Sequence, residues 1–316
     1  MSLRINVRYT IGNYMRYIDK FRNHKRAHSI NVRFLQDCYA NDLPQPVPRP
    51  DNPSSSFDDF KKPQYRDSDD GWKSLLYEEQ DQRCCYCMRK LGVVNYEHVI
   101  PRSITSSDAE DIRYYMQHAQ ALHDFVEISD VFAAKNFSSI SDIQNEKRMP
   151  HIVALSNLLV ACNGKLNSQF VAGCCCNNHR GDRRMMPIML RSDCDEVVKY
   201  DENGILRIDM DDDTLKDLMT DLNDETLQEI RAIWNKLSTT ERLLSDVGEY
   251  SLKERIEWFK DAYGTDDFSL LPESVKRYVG FLSADNSAPD FYWNILLDYD
   301  WFYMYYKSKN NNIRQI

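Results

Sequence analysis

The stretch Cys84-Cys85-Tyr86-Cys87-Met88-Arg89-Lys90-Leu91-Gly92-Val93-Val94-Asn95-Tyr96-Glu97-His98-Val99-Ile100-Pro101-Arg102 decides how this chain is read. Cys84 and Cys87 stand three apart, and a tight turn between them would present both sulfurs to one ion. Past Gly92, the run Val93-Val94-Asn95-Tyr96 favours a strand. That strand ends on Glu97-His98, neighbours that face opposite sides of it. One can hold a hard cation while the other, an imidazole able to take a proton near neutral pH, faces a substrate. Pro101 stops the strand and stiffens the turn.

A single cysteine pair is a weak signal, because a redox CxxC has the same spacing. Zinc needs a second pair, and Cys162 with Cys174, Cys175 and Cys176 can supply it. Asn157-Leu158-Leu159-Val160-Ala161 is a short apolar strand or turn running into Cys162. Cys176-Asn177-Asn178-His179-Arg180-Gly181 reads as the opening of a helix. Its cysteine would close the zinc site, and Asn177 would offer an amide oxygen, a hard ligand suited to Mg²⁺. His179 is the main rival to Asn177. Thirteen residues separate Cys162 from Cys176. Closure entropy grows slowly with loop length, so the insertion is tolerable, but it leaves Cys174 and Cys175 as rival zinc ligands.

The rest of the 316 residues sets bounds. Hydrophobic residues are 42% and charged residues 28%, as in a soluble globular chain of about two domains. No apolar run approaches the roughly 18 residues of a membrane helix, and the first ten residues lack a secretory stretch; a cytoplasmic, membrane-free protein is expected. Seven of the nine cysteines fall in two clusters, which points to metal rather than disulfides. Cys38, Cys85 and Cys194 read as packing residues. The net charge of −9 disfavours nucleic acid. Residues 1–50, however, carry nine Lys/Arg against three acids, a local +6, while acid gathers after residue 193.

Three regions follow: a basic segment and proline-rich linker over 1–71, a metal-binding core with a helical insertion over 72–200, and a helical region over 201–316 suited to docking a partner. The fold class is α+β. Ser107 with Glu110, and Ser251 with Glu254, predict capping boxes; the first helix should run to about Phe125, and Gly264 should close the second. Thr226–Leu244 has helical spacing, Asp201–Gly204 is a hairpin-like turn, and Asp209–Asp213 a solvated helix start. Pro272 and Pro289 should each start a helix. The C-terminal aromatics read as core.

In order, Cys-x-x-Cys, acid-His, Asn-Leu, Cys and Cys-Asn-x-x-basic resemble the HNH nuclease family over residues 84–101 and 155–188. A narrower resemblance, to the Septu-type anti-phage HNH nucleases (PtuB-like, also found with some retrons), extends to about residue 245. It is carried by Leu75-Leu76-Tyr77-Glu78-Glu79-Gln80, Glu97-His98-Val99-Ile100-Pro101-Arg102, Asn157-Leu158-Leu159, Gly181-Asp182-Arg183 and the Tyr200–Gly204 turn before Leu222-Asn223, Leu227 and Arg231. The resemblance implies a zinc-stapled ββα-metal core embedded in a mostly helical protein. By that similarity Cys84, Cys87, Cys162 and Cys176 hold structural Zn²⁺. His98 is the general base, Asn157 orients it, and Glu97 and Asn177 bind catalytic Mg²⁺ or Mn²⁺. Arg102 and Arg180 are candidate phosphate contacts. The substrate would be DNA and the role anti-phage defence, with an ABC/SMC-like ATPase subunit (PtuA-like) as partner. Two alternatives stay open: an RNA-directed HNH nuclease, and a zinc-stabilised nucleic-acid- or protein-binding module without catalysis.

Overall fold

The computed structural model describes residues 15–40, 55–92, 94–128, 139–164, 175–240, 250–280 and 290–304. Among the described residues helices predominate, accompanied by three two-stranded sheets. Helices α1 (His24–Ala40), α2 (Ser55–Phe60), α3 (Pro63–Arg66) and α4 (Trp72–Gln80) precede strand β1 (Asn95–His98). Then come α5 (Ala109–His118), α6 (Gln120–Phe125), β2 (Val126–Glu127), α7 (Ile140–Asn145), β3 (Met149–Pro150), β4 (Leu158–Ala161) and α8 (Cys176–Arg180). The remainder is α9 (Cys194–Val197), the hairpin β5 (Val198–Tyr200) and β6 (Leu206–Ile208), then α10 (Asp213–Leu222), α11 (Glu225–Leu237), α12 (Leu252–Tyr263), α13 (Glu273–Val279) and α14 (Phe291–Leu297). Among the described residues no helix is long and apolar enough to cross a membrane.

The centre is β1 antiparallel to β4, with Asn95 opposite Ala161 and His98 opposite Leu158. All four residues of β4 are buried, which is why it reads as a continuous apolar run rather than an alternating one. Its second edge needs hydrogen bonds, and Gln80 at the end of α4 supplies them. The side-chain amide donates to the Val160 carbonyl (2.8 Å) and accepts from the Val160 amide (2.8 Å), in place of a neighbouring strand. Beside it Lys20 and Glu79 form a buried ion pair at 2.5 Å. Lys20 also donates to the carbonyls of Leu155 (3.2 Å) and Leu158 (2.7 Å), tying the N-terminal segment to β4.

Several expectations are corrected. The linker expected through residue 71 holds two helices in its second half, and Phe57, Phe60 and Tyr65 are buried there. Phe60 stacks on Trp72 at 5.5 Å and meets Phe34 at 4.8 Å. Aromatic burial outweighs proline content, and Pro63 occupies the first turn, where a helix loses no hydrogen bond. The prolines of 44–53 lie outside the described residues. The Ser107–Glu110 capping box does not form: Ser107 bonds Thr105, Asp108 takes the Thr105 amide and hydroxyl, and Glu110 pairs with Arg184. The helix also breaks at extended Ala119 instead of running on to Phe125. Helix α11 ends at Leu237; Leu244 and Pro289 lie outside the described residues.

Other expectations agree with the structure. The Ser251–Glu254 box forms and Gly264 closes α12 in the left-handed region. Asp212 caps α10. Gly204 sits at φ 76°, where an added Cβ would meet the Gln228 carbonyl at 2.3 Å. Trp293, Tyr299, Phe302 and Tyr303 are buried, while Tyr305 and Tyr306 lie outside the described residues. Beyond α14 the chain returns to the first cysteine turn. Arg89 pairs with Asp298 at 2.7 Å, Arg83 and Lys90 with Asp300 at 2.5 Å each, and the Lys90 amide donates to the Asp298 carbonyl at 2.7 Å.

Candidate metal centre and the strand-end histidine

Two turns converge on one point. In the first, the Met88 amide donates to the Cys84 carbonyl (3.1 Å) and the Cys84 amide to the Arg89 carbonyl (2.9 Å), with Met88 at φ 62°. In the second, Cys162-Asn163-Gly164 meets Cys175-Cys176. Gly164, at φ 74°, has no room for a Cβ, which would lie 2.2 Å from the Cys175 carbonyl oxygen. The ligand atoms of Cys84, Cys87, Cys162 and Cys176 all lie within 4.8 Å of one another, and all four residues are buried. Cys87 Sγ and Cys162 Sγ are 3.8 Å apart. A tetrahedral site with Zn–S of about 2.3 Å has edges of about 3.8 Å, so the donor set fits zinc. The four could bind such a metal. Cys175 is outside the set, donating to the Gly164 carbonyl at 3.6 Å; Cys174 lies outside the described residues. Tyr299 brings its hydroxyl to 4.0 Å from Cys87 Sγ.

Helix α8 lies along the Asn95–Glu97 face of β1. Asn95 donates to the side-chain oxygens of Asn177 (3.3 Å) and Asn178 (2.9 Å). One turn on, Arg180 is buried and paired with Glu97. Its guanidinium also donates to the carbonyls of His98 (2.9 Å) and Val99 (2.7 Å) and to the Tyr115 hydroxyl (3.2 Å). Two site expectations therefore change. Arg180 is a buried rivet between α8 and β1, not a surface group for phosphate. Glu97 is not turned to a cation beside Asn177: its Oε1 accepts from Arg180 and from the Tyr86 hydroxyl (2.9 Å). Burial pushes the Glu97 carboxyl up, against the opposing pull of Arg180. His179 turns outward to Asp221 on α10 at 2.5 Å.

His98 leaves the opposite face of β1 and is 8% exposed. Its Nε2 donates to the Ile152 carbonyl (2.8 Å), which makes Nδ1 the lone-pair nitrogen. The Phe57 ring stands edge-on to the imidazole at 4.6 Å, and the Arg102 guanidinium lies over Phe57 at 5.5 Å. Burial pulls the His98 pKa down to about 3, opposed by the Ile152 hydrogen bond and helped by Arg102 and His151; the ring is neutral at pH 7. Asn157 is fully buried. It accepts from the Ile100 amide (2.8 Å) and donates to the carbonyls of Ile100 (3.0 Å) and His151 (2.7 Å). It thus fixes the backbone on both sides of the His98 pocket without a hydrogen bond to the ring. Gln80, Phe57, Tyr86 and Tyr299 also build the site, with no site role expected from the sequence. Gln80 and Tyr86 lie inside the quoted motifs, whereas nothing in the sequence links Phe57 or Tyr299 to the site.

Fold and site together define a mixed helical protein with small sheets and a four-cysteine cluster able to bind a metal such as zinc. No protein-family model, no curated protein and no solved structure matches the chain.

Proposed function

We propose that the chain is a metal-dependent HNH endonuclease that hydrolyses phosphodiester bonds in DNA, acting as the effector of an anti-phage system with an ABC/SMC-like ATPase subunit. One observation carries the nuclease reading. An antiparallel strand pair and the helix that follows it, β1, β4 and α8 in chain order, are gathered round four cysteines, with Glu97-His98 ending the first strand and Asn177 opening the helix. The defence role and the ATPase rest on the motif resemblance alone. In this reading His98 Nδ1 takes the proton of the attacking water, Ile152 and Asn157 set the ring and its loop, and Arg102 meets the phosphate. Asn177 and Glu97 lie on the face of β1 opposite His98, so a divalent ion held by Asn177, with Glu97 released by Arg180, would polarise the phosphate at His98 only after α8 shifts against β1. Phe57 must swing off His98 for substrate to reach the imidazole.

The second reading, a zinc-stabilised binding module without catalysis, is favoured by the Glu97–Arg180 pair and the Phe57 cover. Cleavage of plasmid DNA with Mg²⁺ or Mn²⁺, with and without the partner ATPase, separates the two. We expect cutting by the native chain, none by His98→Ala at unchanged zinc content, and faster cutting by Phe57→Ala. Zinc-loaded protein that cuts neither DNA nor RNA would leave the binding module; cutting of RNA alone would move the substrate class.

A further inference from the structure

A cavity of about 580 Å³ opens between α1, the end of α6 and the segment 147–156. It is separate from the cysteine cluster. Its volume lies in the range of small-molecule sites. Lys25 and Lys147 stand at its lining, both exposed, and neither makes an ion pair among the described residues. Two imidazoles join them. His24 Nδ1 donates to the Phe21 carbonyl (2.8 Å) and His28 Nε2 to the Glu146 carbonyl (2.6 Å), so each ring is fixed and its other nitrogen is the one left for a ligand. Asp124 is the one carboxylate of the lining. In a chain of net charge −9, two ammonium groups against a single acid make a local inversion of sign, and such a pocket selects anions.

The lining also holds an aromatic pair. The rings of His24 and Phe125 are stacked at 5.3 Å with 8° between their planes, and Phe21 braces Phe125 edge-on at 5.2 Å. Ser156, also in the lining and buried, has a hydroxyl that makes no side-chain hydrogen bond among the described residues. Cations, an aromatic plane and one carboxylate match a phosphorylated, ring-bearing ligand. We propose that this cavity binds a nucleoside phosphate, its base against Phe125 and His24 and its phosphates on Lys25 and Lys147. Asp124 is placed to accept from a sugar hydroxyl or an exocyclic amine.

The inference does not depend on the nuclease reading, and it is tested by binding rather than cutting. Titration calorimetry on the full chain would use ATP, AMP, adenosine, inorganic phosphate and a ten-residue thymidine oligonucleotide. At least one of the two nucleotides should bind at a single saturable site, with adenosine and inorganic phosphate weaker by about tenfold or more. Lys25→Ala/Lys147→Ala should lose about tenfold or more in nucleotide affinity at an unchanged ligand-free melting temperature, since both side chains are exposed. Phe125→Leu should weaken nucleotide but not inorganic phosphate, and His98→Ala should bind as the native chain does. The proposal is overturned if neither nucleotide binds, if adenosine or phosphate binds as tightly, if the oligonucleotide outcompetes the nucleotide, or if the double lysine variant is unchanged.

Discussion

Asn157 accepts from one backbone amide and donates to two backbone carbonyls, all buried beside the candidate base. Truncating it strands those groups, at about 1–3 kcal/mol for each one left unsatisfied. Asn157→Ala should therefore lower the melting temperature by several degrees, measurable by calorimetry, while zinc content stays constant. His98 makes the complementary test. Its pKa is near 3 in the fold against about 6.5 in an unfolded chain. Between those values the unfolded state binds the extra proton, so stability rises with pH across that window and is lost as pH falls. The slope from this group is about 1.4 kcal/mol per pH unit, and His98→Gln should flatten it in denaturant titrations from pH 6.5 to 4. Most of this centre was legible in the sequence. Spacing pairs Cys84 and Cys87 with Cys162 and one of Cys174–Cys176, because chelation is a local demand on a turn; the choice of Cys176 rests on the HNH resemblance and on the packing of the second turn. The pairing of Glu97 with Arg180 is not legible: Glu97 reads as a metal ligand and Arg180 as a phosphate contact, and only the packing of α8 on β1 shows that they pair with each other.

At the scale of elements, the strand pair and the last helices followed from pattern, since caps and periodicity act within a few residues. The segment 55–66 did not, because the prolines between 44 and 63 argue for an extended chain while Phe57, Phe60 and Tyr65 find partners outside the segment. Gln80 shows the same limit: a side chain that serves as a sheet edge has no sequence signature. Lys20 and Glu79 join these elements in a buried ion pair. Breaking such a pair costs about 3–5 kcal/mol, because the survivor stays buried and uncompensated. Lys20→Met should be destabilised by about that amount in urea, and Lys20→Met/Glu79→Leu should recover much of the loss. A double variant no better than the single one would mean that the Lys20 bonds to Leu155 and Leu158 dominate.

For the whole molecule, the cysteine turn and the C-terminal segment stand or fall together. Asp298, Asp300 and Tyr299 meet Arg89, Arg83, Lys90 and Cys87. Asp298→Ala/Asp300→Ala should release zinc to a chromogenic chelator faster than the native chain, and zinc-stripped protein should lose the fluorescence of its buried C-terminal tryptophans at a lower temperature than the loaded form. Unchanged release would show the contact to be passive. This docking also sets a timetable for biogenesis. Translation delivers residue 84 long before residue 300, and closing a ring of that span is slow. On the ribosome the first cysteine turn would wait for its acidic cover until residues 298–300 emerge, although all four sulfurs are already present once residue 176 has been made.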